Sequence, residues 1–303
     1  AGAIGIELAL SMKSCGVETH LVDMVETVLP NLLDADMSGI AEEQLKQAGL
    51  ILHLGSKTEK IVGDQYAEQV VLDDGEIIDL TDADNSHGIV VFSVGMRANV
   101  ERFQNSDLKI DKMGIVVDSK MRTNIPDVYA VGDCTQFFSG ITGEPVEGKL
   151  ATNAVPMART LAKNMLGEER EYQGFFNGAA TKVGNIFVGG TGLNEVSARK
   201  HCDVVVGFSE LTTTFPIMPE ARAIKMKLIA DKSTLRVLGA QVVSGSPVTD
   251  KVDIITLAIQ NKLTINDLVG FSYSAQPYQS FFPANNLIIA CAENILTQVN
   301  SSK

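Results

Sequence analysis

The 303-residue sequence predicts an α/β protein that ends in a separate α+β domain. Three observations predict it. Up to Gly95, apolar segments of helical period alternate with short strand-like runs and end in an antiparallel hairpin. A different pattern follows between about Ile115 and Leu166. After Gly174, apolar runs recur at the spacing of antiparallel strands, with helices behind them.

In chain order, Ile4 to Ser14 carries apolar residues at helical spacing, with Ile4, Leu8 and Met12 on one stripe. Thr19 to Val22 suits a buried strand that ends at Asp23. Asp36 starts a second helix, with Ile40, Leu45 and Ala48 inward and Gly49 as its stop. Ile51 to Leu54 is the next strand. Val70 to Leu80 reads as a hairpin turned at Asp73-Asp74-Gly75. Ile89 to Val94 is a continuous apolar run that ends at Gly95. This order is that of a Rossmann-like nucleotide domain with a β insertion. A strand near Val128 to Val131 runs into Gly132-Asp133, and a helix follows from about Lys149. Strands at Ala180–Val183, Val204–Phe208, Ile224–Ala230 and Val237–Val243 follow, two of them joined by a turn at Asp231 to Thr234. Helices at about Val248–Gln260 and Pro283–Leu296 complete the α+β part. The boundaries expected from these patterns are 1–112, 113–173 and 174–303.

Hydrophobic residues make up 45% and charged residues 20% of the chain, without long runs of one sign, so each part can bury a core. The formal net charge of -12 argues against nucleic acid or an anionic membrane surface as a general partner. It does not argue against a nucleotide, because backbone N–H groups hold phosphates without cationic side chains. Cys15, Cys134, Cys202 and Cys291 are far apart, with no CxxC pair and no metal spacing, which fits four unpaired structural thiols in a reducing, cytoplasmic setting. Cys134, after an Asp in a loop, is the one placed for reactivity. No apolar stretch reaches membrane-spanning length. The opening residues already read as the first turn of a helix, so a strand is expected before Ala1, outside this chain.

The strongest local feature is Ala1-Gly2-Ala3-Ile4-Gly5-Ile6-Glu7, which matches the last part of G-x-G-x-x-G. In that motif the second glycine, here Gly2, lets the backbone approach a pyrophosphate. The third, Gly5, lets helix and strand pack closely, and the helix N-terminus, with Ala3 and Ile4, offers N–H groups to the phosphates. An ordinary tight strand-to-helix turn would also fit these residues alone. Asp23 shifts the balance: it ends the next strand, where an acidic side chain accepts hydrogen bonds from the ribose hydroxyls of NAD. Met24 and Val25 offer no arginine for a 2′-phosphate. NAD is therefore expected over NADP. Glu7, one turn into the helix, is either a solvated acid favoured by the dipole or a group near the nicotinamide. His20 and His53 read as structural.

The second feature is Thr123-Asn124-Ile125-Pro126-Asp127-Val128-Tyr129-Ala130-Val131-Gly132-Asp133. Here the chain resembles the pyridine-nucleotide disulfide oxidoreductases, which use FAD and a nicotinamide cofactor and carry a T-x-x-x-x-V-Y-A-x-G-D segment at the flavin's ribityl chain. The resemblance implies that Asp133 accepts a hydrogen bond from a ribityl hydroxyl and that Gly132 lets the backbone pass close by. It also implies that the helix starting near Leu150-Ala151-Thr152 aims its N-terminus at the flavin N1/O2 edge. Phe92-Ser93-Val94-Gly95-Met96-Arg97-Ala98-Asn99 resembles the family's strand-to-glycine segment near the nicotinamide. Thr191-Gly192-Leu193-Asn194-Glu195 and Leu238-Gly239-Ala240-Gln241 resemble its dimerisation domain.

Within the family the similarity is to the NADH oxidase and CoA-disulfide reductase branch. The resemblance then implies three parts: an NAD-binding domain lacking its first strand, the returning part of an FAD-binding domain, and a C-terminal α+β dimerisation domain. It implies a cytoplasmic flavoprotein that passes hydride from NADH through FAD to a disulfide/thiol centre or oxygen. The alternatives are an NADH-dependent reductase of a rubredoxin- or ferredoxin-like carrier, and a non-catalytic dimerisation or nucleotide-binding fragment. The branch's redox cysteine lies in an amino-terminal segment that this chain does not contain, so no catalytic residue is assigned here beyond Glu7. For the same reason the chain by itself is expected to be inactive and to hold FAD weakly. The Tyr-x-Pro-Pro pattern of the branch is met only loosely by Tyr273-Ser274-Ala275-Gln276-Pro277-Tyr278, and no His-Glu pair occurs near the C-terminus. A homodimer is expected through residues after Gly174, using Phe271, Phe281, Phe282, Leu287, Ile288 and Ile289. The acceptor is a small molecule or a small protein. No metal site, nucleic acid or membrane is expected.

Overall fold

A computed structural model describes residues 1–81, 86–280 and 282–301. They form two compact units. One comprises residues 1–93, 178–258 and the chain from 262 onward; the other comprises 94–177 with 259–261.

In the first unit, α1 (Ala3–Ser14) leads to β1 (His20–Asp23), α2 (Ala35–Gln47) and β2 (Ile51–Leu54). The strands β1 and β2 pair in parallel, Leu21 opposite Leu52 and Asp23 opposite Leu54. Parallel pairing needs a crossover, and α2 is that crossover. The next strands, β3 (Thr58–Val62), β4 (Gln69–Leu72) and β5 (Ile77–Asp79), form an antiparallel sheet. The turn at Asp73-Asp74-Gly75 lies where the sequence places it. The strand β3 has no clear period-2 pattern, with Glu59 and Lys60 among its five residues, and it was not expected.

The buried face of α1 is Gly5, Ile6 and Ala9, and Ile4 is 61% exposed. The expected stripe of Ile4, Leu8 and Met12 is thus rotated. The reason is that small residues let the helix lie close on β1, and closeness outweighs side-chain size at that contact. On α2 the inward residues are Met37, Ser38, Ala41 and Leu45. The apolar run Ile89 to Val94 forms no strand; Ile89 is 68% and Phe92 66% exposed. A continuous apolar run becomes a strand only between neighbours that cover both its faces, and no described strand pairs with it.

In the second unit, β6 (Ile110–Asp111) pairs with β7 (Gly114–Ile115), and β8 (Phe137–Phe138) pairs with β9 (Pro145–Val146). The helix α3 (Ala151–Met165) follows. The expected strand at Val128 to Val131 is absent. The pairing there is a single antiparallel bridge between Arg122 and Tyr129, in which Thr123 N–H donates to Val128 C=O and Ala130 N–H to Met121 C=O, closed by a turn in which Val128 N–H donates to Ile125 C=O. A 3-10 turn over Gly132–Cys134 comes next. Met121, Phe137, Met157 and Tyr172 form this unit's core.

The chain then returns to the first unit with β10 (Ala179–Val183), β11 (Ile186–Gly192), α4 (Glu195–Ala198), β12 (Val204–Thr212), β13 (Ala223–Asp231) and β14 (Val237–Ser244). These strands make one antiparallel sheet in the order β10-β11-β14-β13-β12. The central strand β14 is buried along its whole length. Helices α5 (Thr249–Gln260), α6 (Ile265–Val269) and α7 (Leu287–Ser301) follow, and α7 packs on β12 and β13. Leu287 and Ile288 are buried in that packing, so they are not free to cover a second subunit as expected; Phe282 and Tyr278 are exposed at 42% and 72%. Phe281 lies outside the described residues.

One core joins the beginning and the end of the first unit. Ile6, Leu21, Val28, Leu33, Met37 and Leu45 pack with Val183, Val188 and Val243.

Candidate functional site

Two helix starts stand out by the same physical test. A helix N-terminus carries free N–H groups and partial positive charge, and proteins usually quench both with a side-chain cap or an acid in the first turn. In α2, Asp36 does so; in α4, Asn194 accepts from Ser197 N–H; in α5, Asp250 stands in the first turn. A capping box of Thr264 and Asp267 opens α6, and Asn286 Oδ1 accepts from Ile288 and Ile289 N–H at α7. Among the described α-helices, only α1 and α3 begin with neither.

The N-cap of α1 is Gly2, exposed and extended, with φ -77 and ψ 174. A Cβ at Gly2 would meet nothing within 4 Å, so the space in front of Ala3 and Ile4 is open. Gly5 differs. A Cβ there would lie 2.8 Å from Ser93 Oγ and 3.7 Å from Leu21 Cδ1, so Gly5 is what lets the Ser93 segment lie against the helix. Asp23 ends β1 beside this helix start. Its Oδ1 accepts from Val25 N–H at 3.1 Å and its Oδ2 meets the Ala1 amino group. Met24, 68% exposed, and Val25 follow, without a cation. Glu7 is exposed and accepts a hydrogen bond from Thr181 Oγ1 of β10 at 2.7 Å, so its carboxylate is oriented by the C-terminal sheet.

The second helix start lies in the other unit. Gly132 is buried with φ +77, a conformation that favours glycine, and a Cβ there would stand 3.4 Å from Ala154 Cβ. The Gly132 turn therefore sits directly against α3. Asp133 projects from that turn with an exposed carboxylate that makes no hydrogen bond or ion pair among the described residues. Leu150 is the N-cap of α3, and Ala151 and Thr152 are exposed. Behind them Asn153 fixes the helix start: its Nδ2 donates to Gly148 C=O at 2.7 Å, and Tyr172 Oη donates to its Oδ1 at 3.1 Å. Burial pushes the Tyr172 phenol up to about 12, so it stays a donor at neutral pH. Gly95 has φ +95 and an open Cβ position in the unpaired stretch after Ser93.

The structure thus gathers Gly2, Ala3, Ile4, Gly5 and Asp23 at one helix start. It gathers Gly132, Asp133, Leu150, Ala151 and Thr152 at another. Gly95 belongs to neither cluster.

Several partnerships had no signal in the sequence. His53, 8% exposed, bonds through Nε2 to His20 Nδ1 at 2.9 Å and through Nδ1 to Glu76 at 3.0 Å. This supports the structural reading of both histidines. Lys227 of β13 is buried and reaches Glu195 at 2.8 Å, Asp36 at 2.9 Å and Asp34 at 3.1 Å. Desolvation would lower its pKa, but these three carboxylates outweigh it and raise it. Lys225, two residues earlier, pairs with Glu210 and is more exposed, so strand period cannot tell the two lysines apart. Tyr273 donates through its hydroxyl to Pro283 C=O. No group of three or more His, Cys, Asp or Glu is arranged for a metal ion among the described residues. No described helix is long and apolar enough to cross a membrane.

The fold defines an α/β protein with two open helix starts, continued by a five-stranded α+β part. Comparison with known proteins gives the family. Residues 1–158 match the model of the pyridine nucleotide-disulphide oxidoreductases, and residues 179–281 match that family's dimerisation domain. The chain belongs to the pyridine nucleotide-disulphide oxidoreductase family. It is 34% identical over 278 residues to an NADH oxidase of Methanocaldococcus jannaschii, covering 91% of this chain and 60% of the relative. It is 31% identical over 268 residues to an NAD(P)H coenzyme A polysulfide/persulfide reductase of Pyrococcus horikoshii, covering 88% and 58%. Among solved structures, an NAD-dependent persulfide reductase from A. fulgidus superposes with a TM-score of 0.91 at 28% identity, over 99% of this chain and 54% of the other. The chain spans about 60% of the length of the curated relatives it matches.

Proposed function

We propose that this chain serves an FAD-dependent, NADH-oxidising reductase that passes hydride from NADH through the flavin to a disulfide or thiol centre or to oxygen. The observation that carries the reading is the pair of uncapped, acid-free helix starts at α1 and α3. Each leaves N–H groups and positive potential for an anionic ligand group, and each is set beside a carboxylate placed to accept from hydroxyls. Relatives named NADH oxidase and coenzyme A polysulfide/persulfide reductase support the donor and a sulfur acceptor.

Bound FAD and NADH would supply the hydride chemistry. This chain's residues bind and orient. The N–H groups at Ala3 and Ile4, reached over the bare Gly2, would hold the NAD pyrophosphate, and Gly5 keeps α1 against the Ser93 segment. Asp23 accepts from the ribose hydroxyls and repels a 2′-phosphate. Asp133 would accept from a ribityl hydroxyl, and the Leu150-Ala151-Thr152 helix start would stabilise negative charge at the flavin edge. Glu7, whose carboxylate Thr181 holds, would stand near the nicotinamide. The segment 179–281 joins two copies into a homodimer, consistent with the model it matches. The expected parts are 1–112 for NAD, 113–173 for FAD and 174–303 for dimerisation.

The test is cofactor preference. The full-length, FAD-loaded protein should use NADH at least tenfold better than NADPH in kcat/KM. Asp23→Ala should lose about tenfold with NADH, since hydrogen bonds to a charged group contribute about 1.5–3 kcal/mol and tenfold is about 1.4 kcal/mol. A preference for NADPH, or an Asp23→Ala protein as good as the parent with NADH, would overturn the assignment.

A further inference from the structure

Lys149 stands next to the N-cap of α3 and is 8% exposed. Its Nζ donates to Met113 C=O at 2.9 Å and to Asp133 C=O at 3.1 Å, and lies 5.6 Å from the centre of the Phe137 ring. Among the described residues no carboxylate pairs with it. The nearby Asp133 carboxylate points to solvent and leaves the ammonium unneutralised.

This arrangement is unfavourable as it stands. A buried ammonium ordinarily needs a counter-ion. Two carbonyl dipoles solvate the charge without cancelling it. A cation is also disfavoured at a helix N-terminus, where the macrodipole has the same sign, and α3 has no acid in its first turn to relieve it. Lys227 shows the ordinary solution in this chain, three carboxylates around one buried ammonium. Two electropositive features therefore meet around Lys149, the ammonium and the helix start, with no acid in the first turn to relieve them.

We propose that Lys149 is a positioning residue of the flavin site, clamping the Met113 and Asp133 carbonyls to aim the Asp133 carboxylate and adding a buried positive charge that favours the anionic, reduced flavin over the oxidised one. This rests on the functional reading above. A hydride from NADH carries two electrons and one proton to the neutral ring, so the reduced ring bears one negative charge. A fixed cation nearby lowers the energy of that form and hardly alters the neutral one. The clamp acts on both forms alike, which separates the two roles.

The test uses the FAD-loaded protein and reads the two-electron midpoint potential of the flavin against a reference dye. In Lys149→Met the reduced flavin should bind at least tenfold more weakly relative to the oxidised, a potential about 30 mV more negative. Lys149→Gln retains a donor for one carbonyl without the charge and should shift the potential in the same direction, which keeps the test open if the Met variant folds poorly. Lys149→Arg, which retains the charge, should keep most of the parental potential. A potential that neither Lys149→Met nor Lys149→Gln moves, or one that Lys149→Arg lowers as far as they do, overturns the assignment while the flavin reading stands. A full-length parental protein that takes up no FAD overturns the flavin reading itself, and the Lys149 assignment with it.

Discussion

Adding a methyl group at Gly5 probes why this helix start needs glycine. In Gly5→Ala the new Cβ lies 2.8 Å from Ser93 Oγ, well inside van der Waals contact. Overpacking costs about 1–3 kcal/mol, and the low end applies because the serine hydroxyl can rotate away. Against this, replacing glycine by alanine in a helix gains about 0.5–1 kcal/mol. The single substitution alone is therefore a poor readout, and the coupling with Ser93 is the sharp one. In a Ser93→Ala background the offending oxygen is gone. The remaining neighbours are Leu21 Cδ1 at 3.7 Å and the residue-93 Cβ at 3.8 Å, both ordinary contacts. Gly5→Ala should then be neutral or stabilising, and the cycle should give a coupling of about 1 kcal/mol or more. Urea unfolding of the four proteins, followed by circular dichroism, measures it. Gly2→Ala is the control: its Cβ meets nothing and its φ of -77 suits any residue, so stability should not change while NADH binding weakens. A coupling below about 0.3 kcal/mol would refute the steric account of Gly5.

Two further outcomes follow from the charges of the first unit. Lys227→Met leaves the buried Asp34 carboxylate without its cation and should destabilise the protein by about 3–5 kcal/mol in urea unfolding; a loss under about 1 kcal/mol would show that Gln241 and the α4 N–H groups suffice for Asp34. Acid should weaken the fold through depressed carboxylates. The Lys227 hydrogen bond holds Glu195 low against desolvation. At Asp231 desolvation raises the pKa, but hydrogen bonds from Ser233 and Thr234 outweigh it and bring it to about 2. A group depressed in the folded state contributes stability above its unfolded pKa, about 4.3 for Glu and 3.9 for Asp, and that contribution is lost as pH falls toward the folded value. The urea midpoint should thus hold between pH 7 and roughly 5 and fall below about 4.5. Asp231→Asn should make the fall shallower, and an unchanged acid limb would count against the assignment.

Much of the site was legible because its signals are local. The glycines at 2 and 5, the acid at 23 one strand later, and the Gly132-Asp133 turn before a helix are short patterns whose chemistry depends on neighbours in sequence. The long apolar strands β12 to β14 and the turn at Asp231 were legible for the same reason. What the sequence alone determined was therefore the family's motifs, the helices α1 and α3 that follow them and the choice of an acid over a cation after β1.

Tertiary structure decided the rest. Whether α1 turns Ile4 or Ile6 inward depends on which face can lie against Leu21 and Ser93, and helical period allows both. The run Ile89 to Val94 looks like a strand by composition, but strand formation needs partners, and pairing is a property of neighbours distant in sequence. The core shared by residues before Leu50 and after Val183, the bond from Thr181 to Glu7, and the ion pairs of Lys227 with Asp34 and Asp36 all span more than a hundred residues. Lys149 shows the limit most plainly. In the sequence it is one more lysine before a helix; only folding places it under the Phe137 ring, between two carbonyls, with its charge unanswered. Burial and counter-charge are set by what surrounds a residue in space, and local pattern does not encode them.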